Sequence, residues 1–115
     1  MQIESFNEKL EFSDTRIVTN IILETPFSKE VRILFKSGQT MKEHKTPFSI
    51  TVHILDGEIE FGIEGVVHSL KKGAIVYLEG NVKHDLHAKE DSIVRLTLSK
   101  LDKIERVENV IINSK

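Results

Sequence analysis

The chain has 115 residues, with 16 basic and 18 acidic side chains and a formal net charge of −2. Charges of both signs are interspersed, so the sequence lacks the basic stripe that attracts a phosphate backbone, and we expect no nucleic-acid partner. No stretch approaches the roughly 18 apolar residues of a membrane span, so we expect no membrane partner either.

The length predicts a single domain over residues 1–115. The chain contains no cysteine, which is compatible with a reducing compartment. Its first residues, MQIESFNEKLEF, carry charges throughout and contain no apolar run of signal-peptide length. These features predict a cytoplasmic protein.

Short runs rich in Val, Ile, Thr and Phe recur along the chain, and turn residues separate them about every ten positions. This pattern is typical of antiparallel strands in a sandwich or barrel, and it predicts an all-β fold. In chain order, the predicted strands are residues 16–24, 31–35, 50–55, 58–63, 66–70, 75–78, 83–88 and 93–98.

Local signals refine this prediction at three places. The Asp56-Gly57 pair lies between two alternating runs and predicts a β-hairpin, because glycine accepts the positive φ of such turns. Apolar residues within 3–10 have helical spacing, but so short a segment is marginal as a helix. Residues 101–105 are compatible with a helical turn, whereas VENVII (107–112) is more typical of a strand.

Two spaced motifs resemble those of the cupin family. Gly38, followed six positions later by His44 and then by Gly57, resembles the first cupin motif. GAIVYLEGNVKH (73–84) resembles the second. The resemblance covers residues 31–98 and implies a cupin-type double-stranded β-helix, or jelly-roll barrel.

The chain departs from the family pattern at the positions that hold metal. A metal-binding cupin supplies two histidines and a glutamate from the first motif and a third histidine from the second. Here His44 and His84 occupy the first and last of these places, but Thr46 stands for the second histidine and Ile50 for the glutamate. Three further departures lie in or after the second motif, where Glu79 replaces the family's proline, Asn81 its glycine and Ala88 its asparagine.

Strand parity predicts which side chains line the cavity, because alternate residues of a strand face opposite sides. If His44 faces inward and no bulge intervenes, His53 faces outward, and His87 likewise faces away from His84. Tyr77 is a candidate lining residue from another strand. The predicted ligand pocket consists of His44, Thr46, Phe48, Ile50, Val52, Ile54, Tyr77, His84 and Leu86.

Three roles remain open for His44 and His84. They are the candidate metal ligands, for a divalent ion such as Zn, Ni, Fe or Mn, but a catalytic zinc normally has three protein ligands. They are equally candidates for hydrogen-bonding or acid–base groups in a metal-free pocket, since imidazole titrates near neutral pH. Their third interpretation is structural, as histidines whose hydrogen bonds are satisfied within the fold.

The sequence therefore predicts a small-molecule-binding cupin of undefined ligand, with a degenerate metal site. The alternative is a metal-dependent oxygenase or isomerase that acts on a small polar or carboxylate substrate through His44 and His84. A third class is a sensor or interaction module. We also predict a homodimer, in which the first strands and VENVII (107–112) offer edges for pairing between subunits.

Overall fold

The computed structural model describes residues 1–100, which contain nine β-strands and no helix. The predicted helical turn at 101–105 and strand at 107–112 lie outside the described residues. None of the described residues belongs to a helix long and apolar enough to cross a membrane. In chain order, the strands are β1 (Val18–Glu24), β2 (Ser28–Phe35), β3 (Thr40–His44), β4 (Ile50–Asp56), β5 (Glu58–Ile63), β6 (Val66–Lys71), β7 (Ile75–Leu78), β8 (His84–Ala88) and β9 (Ser92–Ser99).

The strands form two antiparallel sheets that face each other. The five-stranded sheet has the order β1-β2-β9-β4-β7, and the four-stranded sheet has the order β3-β8-β5-β6. Neighbouring strands are often far apart in sequence, and β9, the last described strand, lies in the middle of the larger sheet between β2 and β4. The all-β double-stranded β-helix predicted from the sequence is confirmed.

The core fills the space between the two sheets. Alternate residues of β2, β4, β5 and β8 point into it, so Phe35, Ile54 and Ile59 are each 0% exposed. Parity along these strands accounts for the pattern, because a half-buried antiparallel sheet places every second side chain inside. The other buried apolar members of this cluster are Val31, Ile33, Ile50, Val52, Phe61, Leu78, Leu86, Ala88 and Val94.

The Asp56-Gly57 turn forms, but it does not make the predicted hairpin. Gly57 has a φ of 88°, as the turn signal requires. However, β4 pairs with β7 and β9, whereas β5 pairs with β6 and β8, so Gly57 links the two sheets at a corner. The hairpin that follows this corner is β5–β6, whose Glu64-Gly65 turn has positive φ at both residues. Long-range pairing of β4 thus overrides the local signal.

The N-terminal residues cover part of the outer face of the larger sheet without forming a helix or strand before β1. Arg32 of β2 is 4% exposed and holds this segment in place. Its guanidinium donates hydrogen bonds to the backbone carbonyls of Phe6, Glu8 and Lys9 and to the side chain of Asn20. The helical spacing seen in residues 3–10 is therefore not used.

Candidate functional site

A β-bulge in β3 determines which side chains meet at one end of the sandwich. Met41 pairs with Leu86, and His44 pairs with His84. Between these two pairs, β3 advances by three residues and β8 by only two, so β3 contains one extra residue. In a regular strand, residues three apart face opposite sides, but the extra residue of a bulge restores the same facing. Met41 and His44 therefore both face the interior.

The two histidines of the cupin-like motifs are in direct contact. The ring centroids of His44 and His84 are 4.4 Å apart, and the ring planes are inclined by 59°. His84 is 3% exposed and stacks on Phe61, with 5.7 Å between centroids and 19° between planes. His44 is only half-buried. The His44 ring is therefore accessible from the surface, whereas the His84 ring that it contacts lies in the interior.

Backbone contacts determine the tautomer of each ring. Nδ1 of His44 lies 2.7 Å from the carbonyl oxygen of Lys42, and Nδ1 of His84 lies 2.9 Å from that of Val82. A carbonyl oxygen only accepts, so each Nδ1 carries the proton and donates it. In each neutral ring, Nε2 then has a free lone pair, and no hydrogen bond within residues 1–100 occupies it.

Both imidazoles line one small cavity of about 30 Å³. That volume accommodates about two water molecules, whereas pockets that enclose a drug-sized ligand measure roughly 300–1,000 Å³. The hydroxyl of Thr46 also lines the cavity, but it donates to the carbonyl oxygen of Phe48 at 2.8 Å. The cavity lining consists of Ile33, Met41, His44, Thr46, Ile50, Val52, His84, Leu86, Val94 and Leu96.

Six of the nine predicted pocket residues line this cavity, and three lie elsewhere. Ile54 is 0% exposed within the core cluster. Phe48 lines a separate depression of about 160 Å³ at the end of β9. Tyr77 is 65% exposed, because it pairs with Thr51 on the outer face of the larger sheet, and its hydroxyl donates to the Ser49 hydroxyl. Met41 is a cavity residue that sequence reasoning missed, because only the bulge turns it inward.

The other histidines of β4 and β8 face away from the cavity, as parity predicted. His53 pairs with Arg95 and Ile75 on the outer face of the larger sheet. Nδ1 of His87 lies 2.7 Å from the hydroxyl of Thr40 on the outer face of the smaller sheet. Neither histidine can therefore serve as an additional ligand beside His44 and His84.

The residues present do not fit the four-ligand metal site that the family resemblance implies. Thr46 and Ile50 line the cavity at the two vacated ligand positions, and an isoleucine side chain has no donor atom. Within residues 1–100, no group of three or more His, Cys, Asp or Glu side chains is placed to hold a metal ion. Among residues 1–100, the donors that reach the cavity are therefore fewer than those of the family's metal centre.

Stability of the metal-free protein should fall as the pH drops below about 6.5. Burial lowers the pKa of His84 from its ordinary value of 6.5, and repulsion from His44 adds to this, against the opposing effects of the Val82 carbonyl and Asp85. The folded state thus binds fewer protons than the unfolded state just below pH 6.5, so the unfolding free energy decreases as the pH falls through that range. Urea unfolding at a series of pH values measures this.

The variant His84→Phe provides the control for this pH dependence. Its ring is apolar and retains the stack on Phe61, but it does not titrate. We expect a shallower decrease in stability between neutral and mildly acidic pH than in the wild-type protein. An equal slope in both proteins would show that His84 titrates as in the unfolded chain.

Comparisons with known proteins agree with this geometry. The family model described as Cupin domain matches residues 31–100. An RmlC-like cupin protein from Desulfovibrio desulfuricans is 27% identical, with a TM-score of 0.79 over 86% of this chain and 96% of that one. An uncharacterized conserved protein with a double-stranded β-helix domain from Klebsiella pneumoniae is 25% identical, with a TM-score of 0.77 over 85% and 84% of the two chains.

A more distant structure supports the fold alone. KdgF from Halomonas sp. is 20% identical, with a TM-score of 0.70 over 85% of this chain and 95% of that one. No curated protein matches the chain. The family match spans more than half of the sequence and contains β3 and β8, the strands that carry His44 and His84. The chain therefore belongs to the cupin family.

Proposed function

We propose that this protein is a small-molecule-binding cupin whose ligand donates a hydrogen bond to His44 and His84. The observation that carries the proposal is the pair of Nδ1–H···O=C hydrogen bonds, which leaves both Nε2 lone pairs without a partner from residues 1–100 beside one cavity. Small-molecule sites commonly combine an apolar lining with a few such polar groups.

The tautomers favour a hydroxyl or amine over a carboxylate as the contacting group. Neutral Nε2 is an acceptor, and so is a carboxylate oxygen, so the two do not form a hydrogen bond without a further proton. Burial favours the neutral form of His84, since it lowers the pKa of this ring. The ligand class with the best chemical match is therefore a small polar molecule that carries a hydroxyl or amino group.

The cavity volume limits how much of such a ligand enters. A space of about 30 Å³ admits a single polar group. The remainder of the ligand would lie over the half-buried His44 at the mouth, where the neighbouring Lys42, Glu43 and Lys45 are exposed. These charged side chains would contact the ligand at the surface and would add selectivity without a closed pocket.

A metal-dependent oxygenase or isomerase with Zn, Ni, Fe or Mn is the second candidate. Metal-ligating histidines nearly always donate their other ring N–H to a carbonyl or carboxylate, as both His44 and His84 do. Against it, the protein offers two imidazoles where a catalytic zinc normally has three protein ligands. Elemental analysis of untagged protein purified without added metal separates the two candidates, because only the enzyme requires one equivalent of Zn, Ni, Fe or Mn.

We also propose a homodimer, formed through the edges of the five-stranded sheet. Among the strands of residues 1–100, β1 and β7 lie at its edges. Ile21 in β1 is 60% exposed, and Ile75 and Tyr77 in β7 are 64% and 65% exposed. Uncovered edges with apolar side chains favour pairing with another chain. A monomer in sedimentation equilibrium would contradict the proposed homodimer. We also propose that the protein is located in the cytoplasm.

The variant His44→Ala should lose ligand binding while retaining the fold. We would use glycerol as the hydroxyl probe and acetate as the carboxylate probe, and follow the Hε1 NMR signals of the histidines. In the wild-type protein, glycerol should shift the His44 and His84 signals more than acetate does at neutral pH. His44 is half-buried, so its removal should change the melting temperature little and abolish the response of His84.

The variant His53→Ala is the matched control, because His53 lies on the outer face of the larger sheet. It should respond to glycerol as the wild-type protein does. If His44 instead has only a structural role, its loss would remove the ring contact with His84 and leave a gap beside the cavity, and the melting temperature would fall. A large drop in melting temperature with no change in the glycerol response would therefore refute the binding proposal.

A further inference from the structure

The cavity contains a third donor atom that the family's metal set lacks. Met41 lines the same space of about 30 Å³ as His44 and His84, and its thioether sulfur carries lone pairs. We propose that this cavity binds a single copper(I) ion through Sδ of Met41 and Nε2 of His44 and His84. The site would use the two retained family histidines but select a different class of metal.

The bulge in β3 is what brings the three donors together. It aligns Met41 with Leu86 and His44 with His84, so that both β3 side chains face the interior. Bulges are common where a strand re-aims a side chain at a functional site. Without the extra residue, the Met41 side chain would point to the outer face of the smaller sheet. The thioether is thus placed by a departure from regular strand geometry.

Charge favours a monovalent ion here. Imidazole and thioether donors are neutral, and among residues 1–100 no carboxylate lines the cavity. The nearby Glu43 is exposed, and Asp85 lies on the outer face of the smaller sheet, where it pairs with Gly62. Burial of an uncompensated ion is costly, and because the Born energy rises with the square of the charge, a divalent ion costs about four times as much as a monovalent one.

Coordination number and donor softness favour the same ion. Zinc sites are usually four-coordinate, and manganese prefers six oxygen-rich ligands. Among residues 1–100, the cavity has three nitrogen or sulfur donors beside the Thr46 hydroxyl and a lining of isoleucine, valine and leucine, with little room for the waters that would complete those shells. Thioether ligands select copper(I), and imidazole also binds copper. Both imidazoles are already oriented by their Nδ1–H hydrogen bonds to backbone carbonyls.

Copper(I) and a hydroxyl ligand would compete for the same Nε2 atoms. The inference therefore goes beyond small-molecule binding and does not depend on it, although both use His44 and His84. The thioether distinguishes them, because sulfur is a good copper(I) ligand but only a weak hydrogen-bond acceptor. Removal of Met41 should consequently impair copper binding and spare the glycerol response.

The test uses untagged, metal-free protein titrated with copper(I) under anaerobic conditions, against bicinchoninate as a coloured competitor. The wild-type protein should bind one equivalent. The variant Met41→Leu conserves side-chain volume and should bind at least about tenfold more weakly, as expected for loss of a supporting metal contact. His44→Gln and His84→Gln should lose stoichiometric binding, and His53→Gln should match the wild type.

Silver(I), a redox-inert probe of the same soft class, supplies a measurement that needs no variant. The chain contains two methionines, Met1 and Met41, and Met1 is fully exposed. Silver(I) should shift the ¹³C-methyl signal of Met41 and leave that of Met1 unchanged. Unchanged copper affinity in Met41→Leu, an unshifted Met41 methyl signal, or tighter binding of zinc than of copper(I) would each overturn the proposal.

Discussion

The double variant Thr46→His, Ile50→Glu should bind divalent metals at least about 100-fold more tightly than the wild-type protein, which corresponds to about 2.7 kcal/mol. Both side chains line the cavity that His44 and His84 already occupy. The substitutions would bring the protein ligands to three nitrogens and one carboxylate oxygen, in place of two nitrogens. Calorimetric titration with Ni(II), Zn(II) and Mn(II) measures the gain.

The metal-free double variant should also be less stable than the wild-type protein. Ile50 is 3% exposed, so a glutamate there places a carboxylate in the interior without a cationic partner. Added metal should restore the melting temperature, because it binds the folded state alone. Thr46→His by itself is the intermediate control. If neither variant gained affinity, these two positions would not converge with the histidines on one ion, and the match to the family's ligand positions would be refuted.

The variant Gly57→Ala should lower the free energy of unfolding by about 2–5 kcal/mol. Gly57 has a φ of 88°, and a side chain in the left-handed region costs roughly 1–2 kcal/mol. A Cβ atom at this position would also overlap Ser92 and the backbone carbonyl of Asp91. Ser92 is fully buried, so relief requires a shift of the β8–β9 connection, at a further cost of about 1–3 kcal/mol. Urea denaturation measures the total.

The variant Gly65→Ala separates these two contributions. Gly65 also has a positive φ, of 78°, but no atom lies within 4 Å of a Cβ built there. We expect this variant to lose only the roughly 1–2 kcal/mol of backbone strain. Each kcal/mol lowers the melting temperature of a domain of this size by about 4–8 °C, so the difference is measurable. Equal losses in both variants would show that the corner between the two sheets accommodates a methyl group.

Local sequence signals predicted the positions of most strands and the sheet face on which His53 and His87 lie. Alternating apolar residues located eight of the nine strands, and parity correctly placed His53 and His87 on outer faces. Asn81, which replaces the family's glycine, adopts the left-handed conformation that glycine favours, with a φ of 66°. These features depend on residues close in sequence, and side-chain chemistry is sufficient to determine them.

Features that depend on distant strand pairing were not predictable in the same way. The strand β3 is short and mostly exposed, so it lacks an apolar pattern. Its bulge follows from the register with β8, about forty residues later, and that register decides that Met41 lines the cavity. The Asp56-Gly57 pair predicted the turn correctly. It carries no information on the distant partners of β4 and β5, which place these two strands in different sheets.

The central position of β9 has a consequence for how the chain is made. The five-stranded sheet consists of the pairs β1–β2 and β4–β7, and β9 joins them, although it is the last of these strands to be synthesised. Until residues 92–99 leave the ribosome, β2 and β4 each have one unpaired edge, and their buried faces lack part of the core. Sheets closed by such long-range pairings fold slowly, in about milliseconds to seconds. A nascent or truncated chain that ends before β9 should therefore bind chaperones or aggregate, whereas a chain that includes β9 completes the sheet in a single late step.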